Sequence, residues 1–317
     1  MGLEVGKFSI ALDRKDSSSN VNFVSHAHSD HLSGVRKNSD IIASKATADL
    51  IEAKKGITTN LIEADGIKLL NAGHILGSKQ LYVESDGCTF LYSGDYQLQH
   101  TDVAEPIEFM KTDILIIDST YYRTDLAFDP RDEVTENIQM YTKKKLDSGI
   151  VLFGAYTLGK AQELIKILND VGIFPVVEPS IDHISRVYKK HGITLDYACV
   201  SSDEDRFNEA TSGNFVGIVG MSKLGQTKQL VHEVYGKKVF SAVATGFAKM
   251  FRFNTDVQFG LSDHADFKQA TEYIDACNPS HIYTYGHNAD AFARALSLKC
   301  YVASPYSEPI VAKVSQS

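Results

Sequence analysis

The sequence predicts an α/β protein in which a strand-rich region is interrupted by a smaller α/β unit and then resumes. Three observations support this prediction. Residues 1–125 carry short apolar runs separated by Gly, Asp, Asn and Ser, which is typical of strands. From about residue 130, strand-like and helix-like segments alternate, as they do in a unit built on a parallel sheet. Residue types that bind metals follow apolar runs in both the first and the last part of the chain.

The first region is expected to be sheet packed on sheet with few helices. One helix is predicted at about residues 45–54. The other apolar runs are too short for helices and are bounded by turn-forming residues, so they are predicted to be strands. These strands are expected at residues 8–12, 21–24, 41–43, 67–70, 81–83, 89–92 and 114–117.

The middle of the chain is expected to form a second domain inserted into the first. The predicted boundaries are 1–125 and 241–317 for the two parts of the first domain and 126–240 for the inserted one. In the insertion, helices are predicted at 132–146, 158–171 and 180–190, and strands at 150–153, 174–177 and 216–219. Beyond it, strands are predicted at 239–243, 257–261, 281–285 and 300–303, and helices at 266–276 and 288–296.

The hexapeptide at residues 26–31 follows an apolar run and holds four potential metal ligands: His26, His28, Asp30 and His31. Imidazole nitrogen and carboxylate oxygen are ligands that a catalytic Zn²⁺ ion takes. On a helix these side chains would point in different directions, because one turn takes about 3.6 residues, whereas a tight loop after a strand lets them converge. The sequence therefore predicts a metal-binding loop, with an ordinary polar surface loop as the alternative.

Further ligand types follow other apolar runs and lie beside small residues. A single histidine in a loop is usually only a polar side chain, but several of them behind strands, together with the hexapeptide, predict one shared site. These residues are His74, Asp95, Asp118, His264 and His287.

Three motifs together resemble those of the β-CASP nucleases, a group with the metallo-β-lactamase fold. They are the hexapeptide, residues 153–162 (FGAYTLGKAQ) and residues 261–266 (LSDHAD). This group includes the Artemis-type DNA repair nucleases, the ribonuclease J group and the cleavage-and-polyadenylation endonuclease. The chain is most similar to short prokaryotic members described as ligase-associated DNA exonucleases or messenger-RNA 3′-end processing exonucleases. The resemblance implies an αββα sandwich with an inserted β-CASP domain.

The resemblance also implies a site for two metal ions, Zn²⁺ or alternatively Mn²⁺. Asp95 would bridge the ions, and a hydroxide between them would be the nucleophile. Asp30 is placed both among the ligands and among the catalytic residues. The implied first site is His26, His28, His74 and Asp95, and the implied second site is Asp30, His31, His287 and Asp95.

His264 is expected to be a general acid and not a ligand. The resemblance implies that Asp118 accepts a hydrogen bond from it and keeps it protonated. The alternative for Asp118 is a local cap on the turn that follows it. His287 favours a complete two-metal site, because Artemis-type enzymes tend to have Val here and the RNA-processing branches have His. DNA and RNA therefore both stay open as substrates.

The segment at residues 154–161 nearly matches a phosphate-binding P-loop. Ala161 stands where a P-loop needs Ser or Thr to bind Mg²⁺, so an ATPase is disfavoured. A helix N-terminus still attracts phosphate, and Thr157, Gly159 and Lys160 are predicted to hold the substrate backbone or a terminal phosphate. The alternative is a strand-to-helix turn with a surface lysine.

Composition sets further limits. The net charge of −8 argues against a protein coated in nucleic-acid-binding positive charge, but it does not exclude a nuclease. No apolar stretch approaches the ~20 residues that span a bilayer, so no membrane association is expected. The four cysteines are widely scattered and the first residues lack the pattern of a signal peptide, which favours reduced thiols and a cytoplasmic location.

The predicted function is zinc-dependent phosphodiester hydrolysis of single-stranded DNA or RNA, as an exonuclease in DNA repair or RNA processing. One alternative is a small-molecule hydrolase on the same fold, of the thioesterase or lactonase type, which His264, His287 and the inserted domain disfavour. The other is a non-catalytic scaffold that binds RNA or protein, which need not keep seven metal ligands. The polarity of digestion and the oligomeric state are left open.

Overall fold

The computed structural model describes residues 2–5, 8–14, 19–85, 87–199 and 201–306. The chain divides into two compact units. The first is formed by residues 1–100, 104–127 and 264–317, and the second by residues 101–103 and 128–263. Within the described ranges, no helix has both the length and the apolar character needed to cross a membrane. All four cysteines are free thiols, as the sequence predicted.

The secondary structure of the described ranges confirms most of the predicted elements. The strands are β1 (Gly2–Val5), β2 (Phe8–Leu12), β3 (Val21–Phe23), β4 (Asp40–Ile42), β5 (Asn60–Leu61), β6 (Ile67–Asn71), β7 (Lys79–Ser85), β8 (Cys88–Tyr92), β9 (Ile114–Asp118), β10 (Ile150–Ala155), β11 (Val176–Val177), β12 (Val216–Gly220), β13 (Val239–Ala244), β14 (Val257–Phe259), β15 (His281–Tyr285) and β16 (Ala303–Pro305). The helices are α1 (Lys45–Lys55), α2 (Arg131–Leu146), α3 (Lys160–Asn169), α4 (Pro179–Lys190), α5 (Glu204–Thr211), α6 (Leu224–Tyr235), α7 (Phe267–Cys277) and α8 (Ala289–Ser297).

The first unit contains two mixed sheets that share an apolar core. Their strand orders are β1-β2-β3-β4-β5 and β16-β15-β9-β8-β7-β6. Buried side chains from both sheets meet in one cluster, for example Phe23 of β3 and Tyr92 of β8, whose ring centroids are 5.9 Å apart. Strands that alternate inward and outward residues are expected to pack this way, because one face of each sheet must be buried. The sheet-on-sheet prediction is confirmed.

Helices α7 and α8 cover the other face of the second sheet. Tyr273 of α7 and Phe292 of α8 are buried in one cluster with Leu115 and Ile117 of β9. Asp266 caps α7, because its side chain accepts a hydrogen bond from Gln269 N, while Oε1 of Gln269 accepts one from Asp266 N. These contacts fix the start of the helix, which begins three residues after His264.

Helix α1 has clear start and stop signals. The side chain of Ser44 accepts a hydrogen bond from Thr47 N at its start, and Gly56 ends it with a positive φ of 66°. Its apolar face is fully buried through Leu50 and Ile51. Its last turn carries the lysines Lys54 and Lys55, and this end of the helix contacts the predicted metal-binding loop.

The second unit is built on an entirely parallel five-stranded sheet with the order β11-β12-β10-β13-β14. Strand β10 lies at its centre, and all six of its residues are buried, as expected for a parallel strand covered on both faces. The apolar cluster of this unit joins Ile150 and Leu152 of β10 to Leu224 of α6.

Two features of this unit differ from the prediction. The boundary expected near residue 240 falls inside the sheet, because β13 pairs with β10 and β14 pairs with β13, so the unit continues to residue 263. The sequence also failed to predict α5 and α6. Helix α5 buries only Thr211, and α6 leaves Leu230 and Val234 exposed, so neither shows a clear apolar face to one side.

Candidate metal centre and active site

The hexapeptide forms a loop directly after β3, as predicted. Val24 N donates to Ile42 O at 2.9 Å, and Ser25 O accepts from Lys79 N at 2.8 Å, so both sheets hold the start of the loop. Residues Ser29–His31 then form one turn of 3₁₀ helix. The tight turn brings the imidazoles to one side, and the ring centroids of His26 and His31 are 4.1 Å apart.

Four of the predicted ligands converge as a first group: His26, His28, His74 and Asp95. Their potential ligand atoms all lie within 4.8 Å of one another. Nδ1 of His28 lies 3.0 Å from Nε2 of His26 and 3.1 Å from Nε2 of His74. Oδ2 of Asp95 lies 3.6 Å from Nε2 of His26 and 3.8 Å from Nε2 of His74.

These separations fit a single metal ion. Ligand atoms about 2.0–2.1 Å from a tetrahedral Zn²⁺ ion lie about 3.3–3.4 Å from each other. The four atoms of the first group are 3.0–3.8 Å apart along the measured pairs, which brackets this value. Three imidazoles and one carboxylate are also a usual donor set for zinc. The residues present therefore fit the metal that the sequence predicted.

Two glycines allow the loops that carry His74 and Asp95 to approach their neighbours. Gly73 has a φ of 75°, and a Cβ atom there would lie 2.2 Å from Gln97 O. Gly94 has a φ of 55°, and its Cβ would lie 2.7 Å from Cβ of Ser25. Any other residue would be strained and would also clash with its neighbour. The predicted ligand that follows each glycine, His74 or Asp95, therefore keeps its place only with glycine before it.

Asp95, Asp118 and His264 form the second group, and their potential ligand atoms are also within 4.8 Å of one another. Nδ1 of His264 lies 3.2 Å from Oδ2 of Asp118, while Nε2 lies 3.8 Å from Oδ2 of Asp95. The backbone of His264 is fixed as well, since its carbonyl oxygen accepts from Gln97 Nε2 at 2.8 Å. Buried Tyr121 packs edge-on against the His264 ring.

Asp118 makes both of the contacts considered for it from the sequence. Oδ1 accepts hydrogen bonds from Thr120 N at 3.1 Å and from Thr120 Oγ1 at 2.9 Å, which caps the local turn. Oδ2 faces His264. The turn therefore orients the carboxylate, and the carboxylate orients the imidazole.

The remaining predicted ligands are less closely grouped. Nε2 of His31 lies 3.3 Å from Oδ2 of Asp95 and 3.5 Å from Oδ2 of Asp30, whose side chain is 79% exposed. His287 follows β15 on an exposed turn after Gly286, which has a φ of 102°. Neither of the two groups described above contains Asp30, His31 or His287. Their part in a second metal site stays a prediction.

Sequence reasoning missed Asp13, which contacts or supports two of the predicted ligands. Oδ2 of this buried carboxylate lies 2.9 Å from Nδ1 of His31. It also accepts a hydrogen bond from Ser25 Oγ at 2.6 Å, and Ser25 Oγ lies 2.9 Å from Nδ1 of His26. Such partners fix the ring and tautomer of a metal-binding histidine. The signal was present, because Asp13 directly follows the apolar run of β2, as Asp118 follows that of β9.

The ionisable groups of the site shift one another's pKa values. Burial lowers the pKa of His26, and the neighbouring His31 and His74 lower it further, which favours the neutral form that binds metals. Burial alone would raise the pKa of Asp95, but His31 and His264 outweigh it and hold that pKa well below its usual range. Burial and the charge of Asp95 raise the pKa of Asp118. The pKa of His31 is raised, because Asp95 and Asp13 outweigh its burial.

The predicted phosphate contact by Lys160 and Gly159 does not fit the structure. Lys160 is only 2% exposed, and its ammonium pairs with Glu163 at 2.7 Å and with Asp263. The backbone N–H of Gly159 donates to Oε1 of Gln162 at 2.8 Å. Both donors are therefore already used inside the second unit. Thr157 is partly exposed, and its predicted contact with phosphate is not tested by this arrangement.

Arg131 completes the buried charged cluster around Lys160. It pairs with Glu163, and its Nη2 donates to Ser262 O at 2.8 Å. Two cations and two carboxylates thus balance one another where water is largely excluded. The cluster binds α2, α3 and residues 262–263 together, and residue 263 directly precedes His264 in the chain.

Comparison with known proteins gives several relatives. A "Probable DNA ligase" of Opitutus terrae is 31% identical over 292 residues, which cover 86% of this chain and 27% of that protein. "Cleavage and polyadenylation specificity factor subunit 3" of Dictyostelium discoideum is 25% identical over 321 residues, covering 83% of this chain and 41% of that protein. The "Uncharacterized protein in lig 3′region" of Acidianus ambivalens is 34% identical over 135 residues, covering 42% of this chain and 93% of that protein.

No family model matches the chain. The chain spans less than half the length of the Opitutus and Dictyostelium proteins. By contrast, it covers nearly all of the Acidianus protein.

Proposed function

Since the chain belongs to the β-CASP family of metal-dependent nucleases with the metallo-β-lactamase fold, we propose that it hydrolyses phosphodiester bonds in single-stranded DNA or RNA with two bound zinc ions. The observation that carries the proposal is the shared Asp95. It belongs to the group of three histidines that fits a metal ion and also to the group that contains the His264–Asp118 pair. The proposed metal site and the proposed proton donor, His264, are therefore both next to Asp95. The second unit would be the inserted β-CASP domain.

The residues would divide the work of holding the metals. His26, His28, His74 and Asp95 would hold the first ion, and Asp30, His31, His287 and Asp95 the second. When bound, the two ions would polarise the phosphate oxygens and lower the pKa of a water molecule. Asp13 would keep His26 and His31 oriented, directly for His31 and through Ser25 for His26. Zinc is proposed from the three imidazoles of the first group, with Mn²⁺ as the alternative.

The proposed general acid is His264. Its Nδ1 faces Asp118, which leaves a proton at Nε2 on the side of Asp95. The carboxylate stabilises the protonated imidazole, and Nε2 donates its proton to the oxygen that leaves phosphorus.

Single-stranded substrates and exonuclease action in DNA repair or RNA processing are the finer parts of the proposal. The Opitutus relative is named a DNA ligase and the Dictyostelium relative a cleavage and polyadenylation factor, so the relatives support both DNA and RNA. A cytoplasmic location is supported by the four free thiols.

The test combines metal content with product analysis. Purified protein would be incubated with single-stranded DNA and RNA oligonucleotides, labelled at either end and carrying phosphate or hydroxyl termini. We expect cleavage that depends on added Zn²⁺ or Mn²⁺, up to two metal ions per chain, and a ladder that gives the direction of digestion. Asp95→Ala should lose both ions, and His287→Ala mainly one. A metal-loaded protein that cleaves none of these substrates, but hydrolyses thioesters or lactones, would refute the proposal.

A further inference from the structure

The last turn of α1 presents two neighbouring lysines to the metal-binding loop. Nζ of Lys54 donates to Ala27 O at 3.1 Å, and Nζ of Lys55 donates to Leu32 O at 2.9 Å. Ala27 lies between the ligands His26 and His28, whereas Leu32 follows the last ligand of the loop. The two side chains therefore make equivalent bonds to opposite ends of the same loop, one inside the run of ligands and one beyond it.

Lys54 keeps donors for another partner. An ammonium group has three N–H donors, and one of them is used by Ala27 O. In the part of the chain that the structure describes, no carboxylate lies at ion-pair distance from this group. Partial burial lowers the pKa of Lys54, and the charge of the exposed Asp30 opposes this shift. Lys54 is exposed, so a ligand can reach it. Lys160, which is buried and held by two carboxylates, is the opposite case.

A nucleic-acid substrate would be stabilised by a positive charge beside the metal-binding loop, where the ammonium group of Lys54 lies. A nucleic-acid strand carries one negative charge per nucleotide, and only the phosphate that is attacked would lie on the metal ions. The phosphates beside it approach a site whose side chains include the carboxylates of Asp30, in the loop, and Asp95, after β8, which would repel them. A fixed ammonium group next to Ala27 offsets this repulsion and attracts the strand.

We propose that Lys54 is a substrate-binding residue that contacts a backbone phosphate next to the one that is hydrolysed. This inference rests on the proposed nuclease function and names a residue of that same site. Lys54 then takes the role that the sequence assigned to Lys160. Lys55, whose bond lies beyond the last ligand, holds the loop only.

The experiment compares Lys54→Met with Lys55→Met, each in a metal-loaded His264→Ala protein that binds without cleaving. The probe is a fluorescein-labelled single-stranded DNA oligonucleotide, and the dissociation constant is measured from 50 mM to 1 M salt. Loss of one phosphate contact should reduce the salt slope by about 0.7, which corresponds to about eightfold weaker binding at 50 mM salt and little change near 1 M. Lys54→Arg should restore the slope, and Lys55→Met should leave it unchanged.

Other outcomes overturn the inference. If Lys54→Met and Lys55→Met show the same salt dependence of the dissociation constant, both lysines merely hold the loop. The same conclusion follows if the only effect of both substitutions is a loss of bound metal. If the parent protein does not bind the oligonucleotide, the inference also fails. Cleavage by the unsubstituted protein is scored separately: normal cleavage together with an unchanged Lys54→Met slope rejects the lysine contact alone, whereas absence of cleavage rejects the proposed function.

Discussion

His264 and Asp118 are 146 residues apart in the chain, yet Nδ1 of His264 lies 3.2 Å from Oδ2 of Asp118. The other oxygen of the carboxylate is held by Thr120, so the aspartate cannot turn away without breaking two hydrogen bonds. The contact orients the imidazole so that Nε2 faces Asp95.

His264→Ala should reduce the rate of the chemical step by about 10²–10⁴-fold, because the leaving oxygen loses its proton donor. Metal content should stay near that of the unsubstituted protein, since the first group does not need this residue. Single-turnover kinetics and elemental analysis measure the two effects. Loss of a full metal equivalent would show instead that His264 is a ligand, which its 3.8 Å distance from Asp95 also permits.

Asp13→Asn should weaken metal binding by about 10–100-fold, as is usual when the partner of a metal-binding histidine is lost. The amide keeps the size of the side chain but removes the charge that faces His31 and Ser25. Competition with a chelator measures the affinity. Asp65→Asn is the matched control, because Asp65 is exposed and lies away from this network. Equal affinities of the two variants would mean that Asp13 has no role in metal binding.

Lys160→Met should destabilise the protein by about 3–5 kcal/mol, because it leaves Glu163 and Asp263 buried with only one of their two cations. Lys166→Met on the same helix should cost less than about 1 kcal/mol, since its pairs with Asp170 and Asp102 are partly exposed. Urea unfolding measures both changes. A stable Lys160→Met protein with weaker binding of oligonucleotides would restore the phosphate contact predicted from the sequence.

The second unit should lose stability in acid partly through Asp256. Burial opposes ionisation of this carboxyl, but Lys228 and both the backbone and hydroxyl of Ser241 outweigh it and lower its pKa from 3.8 to about 2. A folded-state pKa below the unfolded value means that the contribution is present above pH 3.8 and is lost as the pH falls toward 2. Asp256→Asn should therefore be less stable at neutral pH and show a shallower loss between pH 4 and 2 in thermal unfolding. Parallel stability curves for the two proteins would contradict this prediction.

The sequence by itself determined the strand-rich first unit, the α/β character of the second and the six ligand-type side chains that the structure groups. Apolar periodicity is local, so it marks β10 or α1 without any knowledge of their partners. The hexapeptide is also a local signal, because its four predicted ligands lie within six consecutive residues. The domain boundary predicted near residue 240 was wrong, because it depends on a contact between segments that are distant in sequence. Only the pairing of β13 with β10, which lies far away in sequence, decides to which unit that strand belongs.

The tertiary structure alone decided which charged side chains form ion pairs with one another and which lie beside the predicted metal site. Lys160 follows a glycine at the start of a helix and resembles a phosphate-binding residue in sequence, yet Asp263, 103 residues away, takes up its charge. Asp13 and Lys54 are inconspicuous in sequence, yet the first lies beside His31 and the second beside Ala27. A charged side chain acts on whatever lies within a few ångströms of it, and for these residues that distance is set by folding and not by position along the chain.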